Sequence, residues 1–367
     1  MTSPPDEKAT PASTNNCRPA RRGKTFRVGG ALAFLAGVFL SAALVAYHNF
    51  SAVAEAVQRI GWGFGLIISL YFLGIALNSS AWLTLFRRES LGFIKILLAL
   101  RWIREAINYL LPSAFVGGDV VGIRLLAEHG PDVSTATAVT IADKTLEAAG
   151  LFFFALAGIF ILLWRGVNYG NVHWAIPGVA AIAVMLIAFL LAQRWGLLRL
   201  VDKAVSKLVG KCGGMPNSKD TSIHDKVWEL YADGRRLTLA TFLHVLAYMP
   251  NVIQIWLALR FMGHQIRWLE AFAIESLSQV ICAAAFIMPA SLGAQETAYM
   301  TIGMLLGIPP ALGLAVSLVQ RIKDVFVSIL GLLFWQGFEG RRLWARWKHR
   351  RARPKVRDDI IRVRVQR

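Results

Sequence analysis

The sequence predicts an all-α, polytopic membrane protein built on an inverted internal repeat, and three observations carry that reading. First, the 367 residues are 56% hydrophobic with a mean hydropathy of +0.50. Runs of about 20 apolar residues, the length that crosses a bilayer, recur along the chain. Second, the net charge of +18 is concentrated in the two ends and one long loop, between the apolar runs. That is how a multi-pass protein presents cations to the cytoplasm and to anionic headgroups. Third, residues 110–147 and 287–324 align without a gap. The alignment pairs Pro112 with Pro289, Asp119 with Glu296, Gly130 with Gly307, Lys144 with Arg321 and Glu147 with Asp324. An ordered series of proline, acid, glycine, cation and acid reads as one module written twice.

Composition also excludes some functions. The charge distribution argues for lipid headgroups as partners and against nucleic acid. Cys17, Cys212 and Cys282 lie far apart and the histidines are scattered, so neither a metal site nor a disulfide framework is expected. No G-x-x-x-x-G-K-[ST] loop is present and no cofactor is implied.

Taken in order, residues 1–27 read as a disordered, basic cytoplasmic tail and 28–340 as the transmembrane domain. Val28–Tyr47 is a first span and Gly63–Phe86 a second, closed on the cytoplasmic side by Arg87 and Arg88. Phe93–Leu111 is apolar but carries Lys95, Arg101, Arg104 and Glu105, and Pro112 stops it. Gly117 and Gly118 follow, then a stretch too short to span. Residues 93–129 therefore read as a hairpin that enters the membrane and returns, or as two short spans. A third span ends at Trp164, and Trp174–Gln193 is a fourth. The loop 194–236 holds nine Lys/Arg and five Asp/Glu. Within it Val201, Val205, Leu208 and Val209 share one helical face and Lys203, Lys207 and Lys211 another, the pattern of an interfacial amphipathic helix. Leu237–Met262 is a fifth span. Trp268–Met288 carries Glu270 and Glu275, stops at Pro289, and leads past Gly293 to a short segment, Thr297–Leu306. Pro310–Phe338 is the last span, and 341–367 is a basic cytoplasmic tail. Trp102 and Trp268 read as interfacial belt residues.

Six full spans plus two hairpins, or eight spans, place both termini and the basic 194–236 loop in the cytoplasm of a bacterial inner membrane. The repeat units, about 93–164 and 268–338, then start on opposite faces. Inverted repeats with broken helices are a transporter signature, with the substrate site where the breaks meet. Pro112, Gly117, Gly118, Pro289 and Gly293 are the expected structural breaks. Asp119 and Glu296, just past them, read either as cavity acids or as first-turn helix acids. Lys144 with Glu147, and Arg321 with Asp324, are cation–acid pairs at i, i+3. Counting about 1.5 Å per residue from the far end of each helix puts one pair at each mouth of a pathway. Asp119, Lys144, Glu147, Glu296, Arg321 and Asp324 are accordingly the expected substrate-binding residues, with Glu105, Glu270 and Glu275 as weaker candidates. No catalytic residue is expected.

At these motifs the chain resembles the transmembrane-region family of lysylphosphatidylglycerol synthases, a flippase-like family. Pro112, Gly117, Gly118 and Asp119 match its P-x-x-x-G-G-D stretch with one extra residue. Asp143-Lys144 matches its D-[RK] pair, Pro289, Leu292, Gly293 and Glu296 its P-x-x-L-G-x-x-E stretch, and Arg321 its later arginine. Residues 286–342, with LGAQE and LVQRIKD, look most like the hopanoid-biosynthesis-associated subgroup. The resemblance implies movement of an amphiphilic lipid, a hopanoid or hopanoid-linked species in the subgroup reading, between leaflets. Lysine at 144 where the family commonly has arginine weakens bidentate phosphate binding. Two rival readings remain: a non-catalytic membrane partner of lipid-modifying enzymes, and a membrane glycosyltransferase using a lipid-carried substrate. The latter wants acids on external loops, where only Glu55 is available.

Overall fold

A computed structural model of the chain describes residues 58–86, 91–110, 117–164, 222–285 and 291–351, side chains of the last helix through 337, and isolated positions at 55 and within 180–191. The expected first span, most of the expected fourth, the amphipathic helix at 201–211, Pro112, Pro289 and the outer parts of both tails lie outside these residues.

The described residues form helices: α1 (Gly63–Thr84), α2 (Ile94–Leu110, after a 3₁₀ turn at Leu91–Phe93), α3 (Gly117–Ala127), α4 (Val133–Trp164), α5 (Ile223–Tyr231), α6 (Gly234–Ala247), α7 (Met249–Phe261), α8 (Trp268–Ala284), α9 (Ala294–Leu305) and α10 (Pro310–Arg351). Gly63–Thr84, Val133–Trp164 and Gly234–Phe261 are long and apolar enough to cross a membrane. The chain is an all-α polytopic membrane protein.

Several hydroxyls inside α1 and α4 are satisfied locally, as a lipid environment requires. Ser79 and Ser80 in α1 donate to the carbonyls of Ile75 and Ala76 at 2.7 and 2.8 Å. Thr137, Thr140 and Thr145 in α4 do the same one turn back, at 2.7, 2.8 and 2.9 Å. The expected fifth span is two helices, because Pro250 in the first turn of α7 supplies no amide proton to continue α6. The last helix does not stop near 338 but continues to Arg351 in the basic segment, 42 residues in all. At about 1.5 Å per residue it is roughly twice as long as the hydrocarbon core is thick.

The repeat is visible in the helices. Gly117 and Ala294 open α3 and α9, and Val133 and Pro310 open α4 and α10, so both pairs lie 177 residues apart. In each unit the first helix packs on the short second one, α2 on α3 and α8 on α9. The units then exchange partners, α4 packing on α8 and α10 on α2. Small residues make these crossings close. A Cβ at Gly158 of α4 would overlap Ser276 of α8, and one at Gly331 of α10 would lie 2.8 Å from Ala106 of α2. The short helices, of 11 and 12 residues, fall well below the length that crosses a core of about 30 Å.

Two apolar cores flank the centre. One gathers Trp82, Leu97, Leu100, Ile103, Leu125 and Val139; the other gathers Ile67, Phe154, Ile255, Leu277 and Val316. Helices α1 and α4 contribute to both, so they tie the halves together. Trp102 is not a belt residue. Its indole N–H donates to the Val327 carbonyl at 3.0 Å and its ring stacks on Phe334, fastening α2 to α10.

Candidate functional site

The space between the two cores is polar. A cavity of about 320 Å³ is lined by residues of both repeat units and of α1 and α7. Its walls follow helical spacing. Arg101, Glu105, Asn108 and Tyr109 share one face of α2, and Glu275, Ser278, Gln279 and Cys282 share one face of α8.

The first unit surrounds its side of the cavity with ion pairs. Arg101, 1% exposed, donates to three carboxylates: Glu105 at 2.7 Å, Asp143 at 2.9 Å and Glu147 at 3.0 Å. Arg104 donates to the same Asp143 oxygen at 2.8 Å, reaches Asp119 at 3.4 Å, and lies 5.0 Å from the centre of the Trp82 ring. The other Asp143 oxygen is 3.2 Å from Nε2 of His244, whose Nδ1 is 2.9 Å from the Asn78 side-chain oxygen. Each charge is paired, which is what makes so many buried charges tolerable at membrane depth. Lys144 completes the set, 3.2 Å from Glu147 and 3.8 Å from Asp119.

The second unit relies more on neutral partners. Glu275, 1% exposed, accepts from the Gln279 amide and from the Tyr299 hydroxyl, both at 2.7 Å. Lys323 donates to the Gln254 side-chain oxygen at 2.9 Å, pairs with Asp324 at 3.1 Å, and lies 5.5 Å from the centre of the Tyr71 ring. Each unit thus sets a buried cation over an aromatic ring of α1.

The acids past the two breaks act differently. Glu296 is a helix cap and an ion-pair partner at once: one oxygen accepts the Gly293 amide at 2.8 Å, the other the Arg321 guanidinium at 2.7 Å. Gly293 holds φ of +80°, a conformation that favours glycine and turns the chain into α9. Asp119 sits in the first turn of α3, but the Gly118 amide is capped by the Asn108 side chain of α2 at 2.8 Å. Neither acid lines the cavity, so the first-turn reading describes both, each with an added ion pair. Gly117 and Gly118 open α3 rather than lying in the loop before it. A Cβ at Gly118 would run into the Arg104 carbonyl and the Asn108 side chain.

Of the expected site residues, Lys144, Glu147 and Asp324 line the one cavity. The structure brings these three together instead of leaving one pair at each mouth. Helices α4 and α10 exceed the core thickness, so counting inward from their ends misjudges depth. Asp324 takes Lys323 while Arg321 turns to Glu296. Among the weaker candidates, Glu105 and Glu275 line the cavity, whereas Glu270 caps α8 by accepting the Arg267 amide at 2.9 Å. Sequence reasoning gave no role to Arg101, Arg104, His244 or Lys323. A signal existed for the first two: residues 101, 104, 105 and 108 fall on one face of an otherwise apolar helix.

With this geometry in view, comparisons with known proteins place the chain. Two archaeal relatives are similar to it. The UPF0104 membrane protein MJ1595 of Methanocaldococcus jannaschii is 24% identical over 244 residues, covering 62% of this chain and 70% of the relative. The UPF0104 membrane protein PH1989 of Pyrococcus horikoshii is 20% identical over 327 residues, covering 82% and 94%. No solved structure matches. Residues 34–331, which hold the first repeat unit, the second up to residue 331 and the whole cavity wall, match the lysylphosphatidylglycerol synthase TM region, and the chain belongs to that family.

Proposed function

We propose that this protein moves an amphiphilic lipid between the leaflets of a bacterial inner membrane, passing the headgroup through the central cavity. The observation that carries this is the cavity itself: a polar chamber of about 320 Å³ between two repeat units, inside an otherwise apolar bundle. Its volume suits a headgroup and not a whole lipid, so the acyl chains stay in the bilayer. The wall keeps bonding capacity in reserve. Among the described residues, the hydroxyls of Tyr109 and Ser278 and the side-chain oxygen of Gln320 meet no hydrogen-bond partner, and all three residues line the cavity. Buried polar groups without partners are costly unless cargo or water completes them.

Lys144, Glu147 and Asp324 contact the headgroup in this reading, and Arg321 with Glu296 and Lys144 with Asp119 hold the openings of the short helices. A hopanoid or hopanoid-linked cargo rests on the likeness of residues 286–342 to that subgroup. Both termini face the cytoplasm, and lipid-modifying enzymes that supply or use the cargo are the expected partners. The test is reconstitution of the purified chain in vesicles of phosphatidylethanolamine and phosphatidylglycerol carrying a trace of chain-labelled fluorescent lipid. Protein-dependent loss of fluorescence to an impermeant reductant, lowered by about an order of magnitude in Lys144→Gln, supports translocation. Equal rates in empty vesicles and in vesicles with protein, across lipids of both headgroup classes, sink it.

A further inference from the structure

We infer that Glu275 is a proton-binding site, and that its protonation couples lipid movement to the transmembrane proton gradient. The coupling rests on the transport reading above; the proton site does not. Among the described residues the cavity wall carries three cations, Arg101, Lys144 and Lys323, against four acids, Glu105, Glu147, Glu275 and Asp324, leaving one negative charge in excess among them. The pairings identify which acid holds it. Arg101 serves Glu105 and Glu147, Lys144 also serves Glu147, and Lys323 serves Asp324. Among the described residues no cation comes within 4.0 Å of Glu275. The nearest candidate, Lys323, is already committed to Gln254 and Asp324.

The groups that face Glu275 from each neighbouring element are consistent with a site that holds either charge state. Tyr299 of α9 and Gln279 of α8 donate to its two oxygens, and the Asn251 side chain of α7 also hydrogen-bonds to it. Cys282 lies two turns further along α8, Tyr248 stands at the start of α7, and Lys323 with Asp324 faces it from α10. Across the cavity stand Arg101 and Glu105 of α2 and Lys144 and Glu147 of α4. Hydroxyl and amide donors can turn to accept when the carboxyl carries a proton, which a guanidinium cannot. The step is simple: a proton from cavity water adds to one carboxylate oxygen, the group becomes neutral, and the wall becomes charge-balanced. Release of the proton to water on the other side restores the excess charge. A buried carboxylate without a counter-ion is costly, and uptake of a proton removes that cost. Occupation of the cavity by a headgroup and occupation of Glu275 by a proton therefore bias one another.

The site is tested without lipid. Infrared difference spectra of the full chain in detergent, taken between alkaline and mildly acidic buffer, should show a protonated-carboxyl band. The band should vanish in Glu275→Gln and persist in Glu105→Gln. Should Glu275→Gln fail to fold, Tyr299→Phe serves instead: it removes one hydrogen bond, so the band remains but moves to higher wavenumber. No band, or a band indifferent to both variants, overturns the proton site. Coupling is tested in the vesicles above under an imposed pH difference. The leaflet distribution of the labelled lipid should shift by about tenfold per pH unit for one proton per lipid, and Glu275→Gln should lose that shift. Lipid movement indifferent to the pH difference overturns the coupling and leaves the transport reading standing. A Glu275 band with no movement of any lipid overturns the transport reading, and the coupling with it.

Discussion

The two repeat units share a helix framework and differ in chemistry. Position 143 in the first unit is an aspartate held by two arginines and faced by a histidine, whereas its mate 177 residues later is Gln320, a neutral amide whose oxygen meets no partner among the described residues. On the neighbouring helix the first unit turns Arg101 and Glu105 to the cavity where the same offset gives Ser278 and Cys282. A repeated backbone has thus been filled with one connected ionic network on one side and, on the other, two separate ion pairs, Arg321–Glu296 and Lys323–Asp324, beside neutral hydrogen bonds. Breaking a buried ion pair strands a charge, whereas breaking a neutral hydrogen bond costs about 0.5–1.5 kcal/mol net. The first unit should therefore be the rigid half and the second the half that tolerates change.

The largest expected effect tests that contrast directly. Asp143→Ala leaves Arg101 and Arg104 buried without their shared acceptor and should cost about 3–5 kcal/mol. Gln320→Ala should cost about 1 kcal/mol, since the lost amide oxygen had no partner. Thermal unfolding of both variants in detergent measures the difference. Equal losses would show that the ionic network gives the first unit no special rigidity.

A second, smaller asymmetry lies at the start of the short helices. Gly118 admits no side chain because α3 starts hard against Arg104 and Asn108 of α2. Its mate, Gln295, carries a full side chain into the cavity wall. Gly118→Ala should destabilise by about 1–3 kcal/mol through overpacking, and Gln295→Ala by less. If Gly118→Ala is neutral, α3 can slide on α2 and the first unit is less closely packed than its geometry indicates.

How much of this was legible in the sequence follows from distance along the chain. The repeat and the openings of α3, α4, α9 and α10 were legible because glycine, proline and charged residues recur at one offset, and a helix start is a local event. Glu147 and Asp324 were legible as a repeated pair of acids for the same reason, although at opposite mouths rather than in one cavity. The partners were not. Arg101 meets Asp143 across 42 residues and Lys323 meets Gln254 across 69, pairings fixed only when α2 crosses α4 and α7 approaches α10. Nor did the local sequence separate Trp102 from an interfacial tryptophan, since its acceptor lies 225 residues away. Glu275 stood out as an acid amid an apolar run, but its lack of a counter-ion is a property of the assembled cavity.

The crossings between units offer a third comparison. Trp102 of α2 bonds the Val327 carbonyl of α10, while at the matching α4–α8 crossing Gly158 meets Ser276 without such a bond being needed for closeness. Trp102→Phe keeps the stacking on Phe334 and removes the hydrogen bond, so it should cost about 1 kcal/mol. Gly158→Ala, which drives a methyl into Ser276, should cost more. Unfolding midpoints of the two variants rank the crossings, and the reverse order would mean that α2–α10 is the crossing that holds the units together.

The smallest effect is expected away from the cavity, where α5 docks on the start of α4. Lys226 donates to Asp132 at 2.7 Å and to the Thr135 hydroxyl at 2.9 Å, and Thr135 in turn donates its amide to Asp132 at 3.2 Å. Partial burial pushes the Asp132 carboxyl up, but the hydrogen bonds from Lys226 and Thr135 outweigh it and hold the group below the usual carboxylate range. A carboxyl held low in the folded state contributes stability above its unfolded value, and that contribution fades as the pH falls through the folded one. Asp132 is exposed and Lys226 half-buried, so the pair's worth is close to that of a surface bridge, about 0–1 kcal/mol, and salt screens it further. Lys226→Ala should accordingly leave the unfolding midpoint nearly unchanged. It should speed hydrogen exchange in α5 alone at neutral pH, and the difference from the parent should shrink in acid as Asp132 takes up its proton. An exchange difference that spreads into α2 or α4, or that grows in acid, would mean that this contact reaches the buried network after all and that the first unit's rigidity extends to the start of α4.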